Sequence, residues 1–241
     1  MRKVSWYSCG AASAVATKLS TPDIIAYCEV GSEHKDNKRF MKDCEEWFMQ
    51  KITILSNPKF KDTWEVWEKR KYISGIGGAP CTMELKVAPR LEFQKPDDIH
   101  IFGYTADATD VNRAKALSEN WPELNCEYPL IERGLTKAAC MAMVIDAGLK
   151  LPEIYSYGFP NANCVPCCKA TSPAYWAMVR KHFPEEFDRM TELSRRLGAR
   201  LARVDGERVF IDEVPLDQKM VDPIAPDCDF LCHIAEQEME D

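Results

Sequence analysis

Short apolar stretches of strand type alternate with stretches of helical period along the first half of the chain, and this alternation most constrains the fold. Strand candidates are Val4-Ser5-Trp6-Tyr7, residues 23–30, Ile52-Thr53-Ile54-Leu55, residues 98–103 and residues 125–130. Between them lie helix candidates at residues 14–19 and 36–50, the second with Phe40, Met41, Cys44, Trp47 and Phe48 as its apolar positions. Strands that alternate with helices predict a parallel sheet covered on both faces, with ligands at the carboxyl ends of the strands. Further on, residues 172–197 read as helix broken near Pro184, and Val209-Phe210-Ile211 as a brief strand. The segment Gly75-Ile76-Gly77-Gly78-Ala79-Pro80 reads as a loop able to move.

The stretch Asn161-Ala162-Asn163-Cys164-Val165-Pro166-Cys167-Cys168-Lys169 follows a Gly-Phe-Pro turn and crowds its thiols into neighbouring positions. A Cys-x-x-Cys pair offers soft ligands to one centre, so it suits zinc, an iron–sulfur cluster or a redox dithiol, with further ligands from elsewhere. Small buried apolar side chains are the alternative reading of such thiols. The chain carries 11 cysteines, an odd number without the look of a secreted disulfide framework, so close spacings point to metal or catalysis in a reducing compartment. No apolar run is long enough to cross a bilayer, and the start Met1-Arg2-Lys3-Val4-Ser5-Trp6 lacks the apolar stretch of a signal peptide, so a cytoplasmic protein is expected, with no membrane partner. A net charge of -7 argues against broad binding of nucleic acid while leaving room for a local basic groove.

Ser8-Cys9-Gly10-Ala11-Ala12-Ser13 joins the first strand to the first helix. Small side chains let a ligand approach the backbone, and N–H groups at a helix start favour an anion, so this loop is a candidate phosphate cradle. A strand turning into a helix is also ordinary packing. Cys9, Cys28, Cys44, Cys126 and Cys140 read as packing residues, and His34, His100, His182 and His233 show no ligand spacing with one another.

Together these stretches resemble the phosphoadenosine phosphosulfate (PAPS) reductase-like family, within the adenine nucleotide alpha-hydrolase superfamily that includes the PP-loop ATP pyrophosphatases. Ser8 to Ser13 occupies the place of the superfamily's Ser-Gly-Gly-x-Asp-Ser loop, with Cys9 and Ala12 departing from it. Gly31-Ser32-Glu33-His34 resembles the Thr-Gly-x-Glu segment near the nucleotide. Cys81-Thr82-Met83-Glu84-Leu85-Lys86-Val87-Ala88-Pro89 resembles Cys-Cys-x-x-x-Lys-Val-x-Pro, with Thr82 in place of the second Cys. The strand end Gly103-Tyr104-Thr105 through Arg113 is similar to Gly-x-Arg-x-x-Glu, with Thr105 in place of the Arg. Tyr157 to Cys167 is similar to Gly-Phe-x-Asn-Asn-Cys-x-x-Cys, and Asp227 to Cys232 resembles the tail that carries the reductases' nucleophilic Cys.

The resemblance implies an α/β fold, a Rossmann-like, adenine nucleotide alpha-hydrolase-like and mostly parallel sheet with helices on both faces, plus a Cys-rich C-terminal region. Residues 1–160 would form the nucleotide-binding part and residues 161–241 a Cys-rich helical region with a thiol tail, packed as one unit with the first. It implies nucleotide contacts from Ser8, Cys9, Gly10, Ala11, Ala12, Ser13 and Glu33, anion contacts from Lys86, Arg90 and Arg113, and catalysis by Cys228 and Cys232. Cys81, Cys164, Cys167 and Cys168 would hold a [4Fe–4S] cluster, with zinc as the alternative, and a thiol reductant protein such as thioredoxin would be the partner. The implied function is reductive sulfur chemistry on a phosphosulfate. The alternatives are an ATP-dependent adenylating sulfurtransferase acting on tRNA or DNA, and a non-catalytic nucleotide-binding metalloprotein.

Overall fold

The computed structural model describes residues 1–75, 77–219 and 224. In chain order its elements begin β1 Lys3–Tyr7, α1 Ala11–Ser20, β2 Ile24–Cys28, α2 Asn37–Phe48, β3 Ile52–Leu55 and α3 Thr63–Arg70. A helical stretch follows in three pieces, α4 Pro80–Thr82, a π turn Met83–Val87 and α5 Ala88–Phe93. Next come β4 Ile99–Ile101, α6 Ala108–Asn120, β5 Asn125–Glu127, α7 Pro129–Glu132, α8 Lys137–Asp146 and a 3-10 turn Glu153–Tyr157. The described chain closes with α9 Pro173–His182, α10 Pro184–Leu197, β6 Ala202–Val204, β7 Glu207–Val209 and a 3-10 turn Ile211–Glu213.

The β-branched and aromatic residues of β1 place it at the centre of a five-stranded sheet of order β3-β2-β1-β4-β5, in which every pairing is parallel. The register pairs Val4 with Ile24 on one side and with His100 on the other. Successive β1 side chains face opposite ways, and both faces are covered. Ser5 bonds Thr17 of α1 at 2.7 Å, which sets α1 on one face. The Thr17 hydroxyl donates to the Ser13 carbonyl, so Ser5 is the donor in that pair. On the other face Trp6 lies edge-on to Phe93 of α5 at 6.3 Å and donates from Nε1 to His100 Nδ1 at 3.0 Å. The chain runs out to β3 on one side of β1 and returns to β4 on the other, so strand order reverses between β1 and β4.

One apolar core runs from Tyr7 and Phe40 through Trp67 and Leu130 to Trp176, Met190 and Val214, so residues on either side of position 160 share it. Phe40 is fully buried, worth about 1.5–3 kcal/mol relative to exposure. Arg39 ties α2 to the segment before the 3-10 turn by donating to the carbonyls of Lys150 and Leu151 at 2.7 and 2.9 Å.

Several expected boundaries need correction, among them that of the strand at 23–30, which runs from Ile24 to Cys28. The first helix starts at Ala11 rather than Ala14, because Ala11, Ala12 and Ser13 continue the helix once Gly10 has turned the chain. The brief strand expected at 209–211 is the second arm of a β6–β7 hairpin ending at Val209; Asp205 and Gly206, both at positive φ, make its turn, and Ile211 begins a 3-10 turn. The strands expected at 98–103 and 125–130 are shorter, ending at Ile101 and Glu127. The break at Pro184 falls as expected between α9 and α10. Among the described residues no helix is long and apolar enough to cross a membrane.

Candidate functional site

A cleft of about 400 Å³ opens at the carboxyl ends of β1, β2 and β4, at the point where strand order reverses. Trp6, Tyr7 and Ser8 line it from β1, Ala26, Tyr27 and Cys28 from β2, and Phe102, Gly103 and Tyr104 from the end of β4. Thr82, Lys86, Val87 and Arg90 close the side, and Asn163 reaches in from the thiol stretch.

The Ser8–Ser13 loop forms the floor. Cys9 takes φ 55°, a left-handed conformation costing an L residue about 1–2 kcal/mol. That turn buries the Cys9 side chain beside Tyr7 and Tyr27 and leaves Ser8 and Ser13 facing the cleft. Burial pushes the Cys9 thiol well above its ordinary pKa. Ser8 donates to Ser13 Oγ from both its N–H and its hydroxyl at 3.1 Å, and Ser13 Oγ donates to the Gly10 carbonyl at 2.9 Å. Gly10 offers no capping side chain of its own, the Tyr155 hydroxyl takes the first N–H of α1, and the cleft meets the helix start at Ser13. Gly103 is needed at the opposite wall, because a Cβ there would lie 2.6 Å from Ser13 Cα. Ala11 is buried and its N–H donates to the Tyr155 hydroxyl at 3.2 Å, so of the expected loop only Ser8 and Ser13 line the cleft by their side chains.

Two cations enter the cleft from the helical stretch. Arg90 makes no ion pair among the described residues, and its buried Nε has no hydrogen-bond partner there. Lys86 Nζ lies 3.1 Å from Glu33 Oε1. Burial pulls the Lys86 ammonium down, but the Glu33 charge and hydrogen bond, with the neighbouring thiols, more than offset it, so its pKa stands above the ordinary lysine value. Glu33 is nearly inaccessible and also accepts from Tyr27 at 2.7 Å and Asn37 at 3.1 Å, so it faces Lys86 rather than the cleft. Arg113 lies apart on α6, where it pairs with Asp110 at 3.1 Å.

The segment around Glu33 is held between two others. Gly31 N–H donates to the Lys61 carbonyl at 2.9 Å, Ser32 Oγ bonds Thr63 Oγ1 at 2.7 Å, and on the other side Val165 N–H donates to the Ser32 carbonyl at 3.0 Å. Glu33 and Cys164 form a β-bridge. These contacts bring the thiol stretch beside the helical stretch, and between them lies a cavity of about 150 Å³. Cys81, Cys164, Cys167 and Cys168 all line it, together with Trp67 of α3 and Lys86. The stretch is anchored by Cys167 N–H to the Tyr175 hydroxyl at 2.5 Å, by Ser74 Oγ to the Cys168 carbonyl at 2.9 Å and by Trp176 Nε1 to the Ala170 carbonyl at 3.1 Å.

Cys81 and Cys168 approach to 3.7 Å between sulfurs. The hydrogen bond from Cys168 brings the Cys81 pKa down and holds that of Cys168 up. Burial pushes the Cys164 thiol up, with Lys86 opposing. Among the described residues no three Cys, His, Asp or Glu side chains converge at the spacing of a single bound ion. The four thiols expected as ligands instead ring a cavity, a donor set soft enough for iron–sulfur or zinc. Cys228 and Cys232 lie outside the described residues.

Thr82, Lys86 and Asn163 belong to both the cleft and the thiol cavity, so the two adjoin. A third opening, of about 690 Å³, shares Asn163, Cys164, Cys167 and Lys169 with the thiol cavity and Tyr104 and Asn163 with the cleft, and carries Arg113, Asn120, Trp121 and Tyr175.

Thr105, which stands where the resembling family carries Arg, is buried and bonds Asp107 and Asp110 at 2.8 and 3.0 Å. It holds the start of α6 and takes no part in the cleft. Cys28, expected as packing, lines the cleft, its thiol donating to the Lys86 carbonyl at 3.6 Å. Phe102 and Tyr104, also missed, stack at 5.7 Å with planes 12° apart and offer the cleft an aromatic face. The alternation His100-Phe102-Tyr104 was their signal in the sequence. No family model, curated protein or solved structure matches this chain.

Proposed function

We propose that this chain is a PAPS reductase-like enzyme of the adenine nucleotide alpha-hydrolase type, which binds an adenine nucleotide and carries out sulfur chemistry beside a thiol-held centre. One observation carries the reading: a cleft at the strand-order reversal, lined by Ser8, by Ser13 at the start of α1 and by Arg90, which has no ion pair among the described residues, shares Thr82, Lys86 and Asn163 with a cavity lined by four thiols. The helix start and Arg90 suit phosphate or sulfate oxygens, and Phe102 with Tyr104 suits a base. Lys86, held charged by Glu33, suits the anionic end of the substrate nearest the thiols.

Cys81, Cys164, Cys167 and Cys168 would hold a [4Fe–4S] cluster. When bound, it would supply a redox-active iron–sulfur unit next to the cleft. Thiols spread round a cavity suit a cluster, whereas the 3.7 Å approach of Cys81 and Cys168 matches the edge of about 3.8 Å that Zn–S bonds of about 2.3 Å give a tetrahedral zinc site. Metal analysis decides between them.

In the reductive step a thiolate of Cys228 or Cys232 attacks the phosphosulfate sulfur, forming S–S and breaking S–O, and adenosine 3',5'-bisphosphate leaves. A second thiolate then attacks the S-sulfonated cysteine, releasing sulfite and leaving a disulfide, which a dithiol protein of thioredoxin type reduces. The part of the described residues is to bind and orient the nucleotide and balance its charge. The large opening next to Cys164 and Cys167 favours a second reading, an adenylating sulfurtransferase, because Tyr104, Trp121, Arg113 and Lys169 could receive a base-bearing anionic acceptor. Incubation of anaerobically purified chain with PAPS and reduced thioredoxin, and separately with ATP and RNA or single-stranded DNA, distinguishes them. Sulfite with adenosine bisphosphate supports the first reading, AMP with pyrophosphate the second, and nucleotide binding without product in either mixture refutes both.

A further inference from the structure

Trp67 sits on the buried face of α3, wholly inaccessible to solvent and edge-on to Trp64 at 5.1 Å. Its Nε1–H makes no hydrogen bond of normal geometry among the described residues, though it lies near enough to Cys81 to favour the ionised form of that thiol. An indole nitrogen is donor only, and leaving it unsatisfied in a core costs about 1–3 kcal/mol, a penalty that Phe would avoid at similar shape. The other tryptophan buried as deeply, Trp176, does have its N–H satisfied, by the Ala170 carbonyl at 3.1 Å. What sets Trp67 apart is its place in the wall of the thiol cavity, among Cys81, Cys164, Cys167 and Cys168.

We propose that Trp67 is a positioning residue for the thiol-held centre, its Nε1–H donating to a sulfur of the cavity when metal draws the four thiolates together. The inference rests on the proposed centre and deepens it. A donor to metal-bound sulfur removes charge from it, holds the ligand in one orientation and raises metal affinity, and loss of such an outer partner costs roughly 10–100-fold in affinity. Phe at position 67 keeps the packing and deletes only the donor.

The test uses the full chain, stripped of metal under reducing conditions and titrated with Zn²⁺ against a competing chelator. Trp67→Phe is expected to lose roughly tenfold or more in Zn²⁺ affinity. Trp64→Phe, a change of the same size outside the thiol cavity, is expected to match the wild type. Equal affinity in Trp67→Phe and the wild type overturns the inference while leaving the centre intact. A wild type that takes up no Zn²⁺ overturns both. Should Trp67→Phe not fold, the wild type labelled with ¹⁵N-tryptophan gives the same answer: the Trp67 indole proton is expected to move downfield on Zn²⁺ addition, and an unmoved resonance refutes the role.

Discussion

Lys86 Nζ stands 3.1 Å from Glu33 Oε1 and lines both the cleft at the carboxyl edge of the sheet and the thiol cavity. Glu33 is paired to Cys164 through a β-bridge, so one ion pair lies between the segment after β2, the helical stretch after α3 and the thiol stretch. Removing the cation leaves the buried carboxylate with only Tyr27 and Asn37 as donors among the described residues. Lys86→Met is expected to lower stability by about 1–3 kcal/mol in chemical denaturation. Adding Glu33→Gln should restore most of that stability while leaving nucleotide affinity low. A double variant no more stable than the single one contradicts this account of the pair.

Arg90 is the cation of the cleft without an ion-pair partner among the described residues. Its removal therefore breaks little that holds the fold. Arg90→Met should leave the thermal midpoint near that of the wild type and weaken binding of PAPS or ATP roughly 10–100-fold, the equivalent of about 1.5–3 kcal/mol for a lost charged hydrogen bond. Calorimetric titration reads this, and unchanged affinity removes Arg90 from the site.

Gly103 lets the end of β4 lie against the start of α1. A Cβ there would stand 2.6 Å from Ser13 Cα and 2.8 Å from Ser13 N, both backbone atoms that cannot rotate away. Gly103→Ala is expected to cost about 1–3 kcal/mol by overpacking. It should also weaken nucleotide binding by shifting Ser13. Full stability with full affinity would show that the two segments have room to part.

Asp98 gives a pH signature separate from the site. Its carboxylate accepts two bonds from Arg2, at 2.8 and 2.5 Å, and the Arg2 hydrogen bond holds its pKa below the usual carboxylate range against the opposing effect of burial. A depressed carboxylate stabilises the fold above its unfolded value of about 3.9, and that contribution is lost as pH falls through the lower folded value. Asp98→Asn should therefore be less stable than the wild type at neutral pH, and the gap should close below about pH 4. A gap independent of pH argues that lost hydrogen bonds, not charge, account for the difference.

The parallel sheet was legible because its first four strands are short and largely apolar and are followed by stretches of different period, whereas β5, Asn125-Cys126-Glu127, is mostly polar. Ser8 and Ser13 were legible as cleft residues because a small-residue loop after the first strand of such a sheet falls at its carboxyl edge. Cys28 was not, since a thiol at a strand end reads the same whether it meets the core or a cleft. The thiols at 164, 167 and 168 announced themselves by spacing, but their meeting with Cys81 depends on the pairing of Ser32 with Val165 and of Ser32 with Thr63, contacts far apart in the chain. Trp67 carried no signal beyond the apolar face of α3, because only tertiary packing separates its unsatisfied N–H from the satisfied one of Trp176. Thr105, which departs from the resembling motif, bonds Asp107 and Asp110 at the start of α6.

The account turns on four thiols acting as one centre beside the nucleotide. Iron and acid-labile sulfide analysis of chain purified without oxygen tests this most directly, with Cys164→Ser and Cys140→Ser alongside. About four irons with matching sulfide per chain, lost in Cys164→Ser and kept in Cys140→Ser, is the predicted result. A wild type carrying neither iron nor sulfide, with the same content as Cys164→Ser, contradicts the cluster.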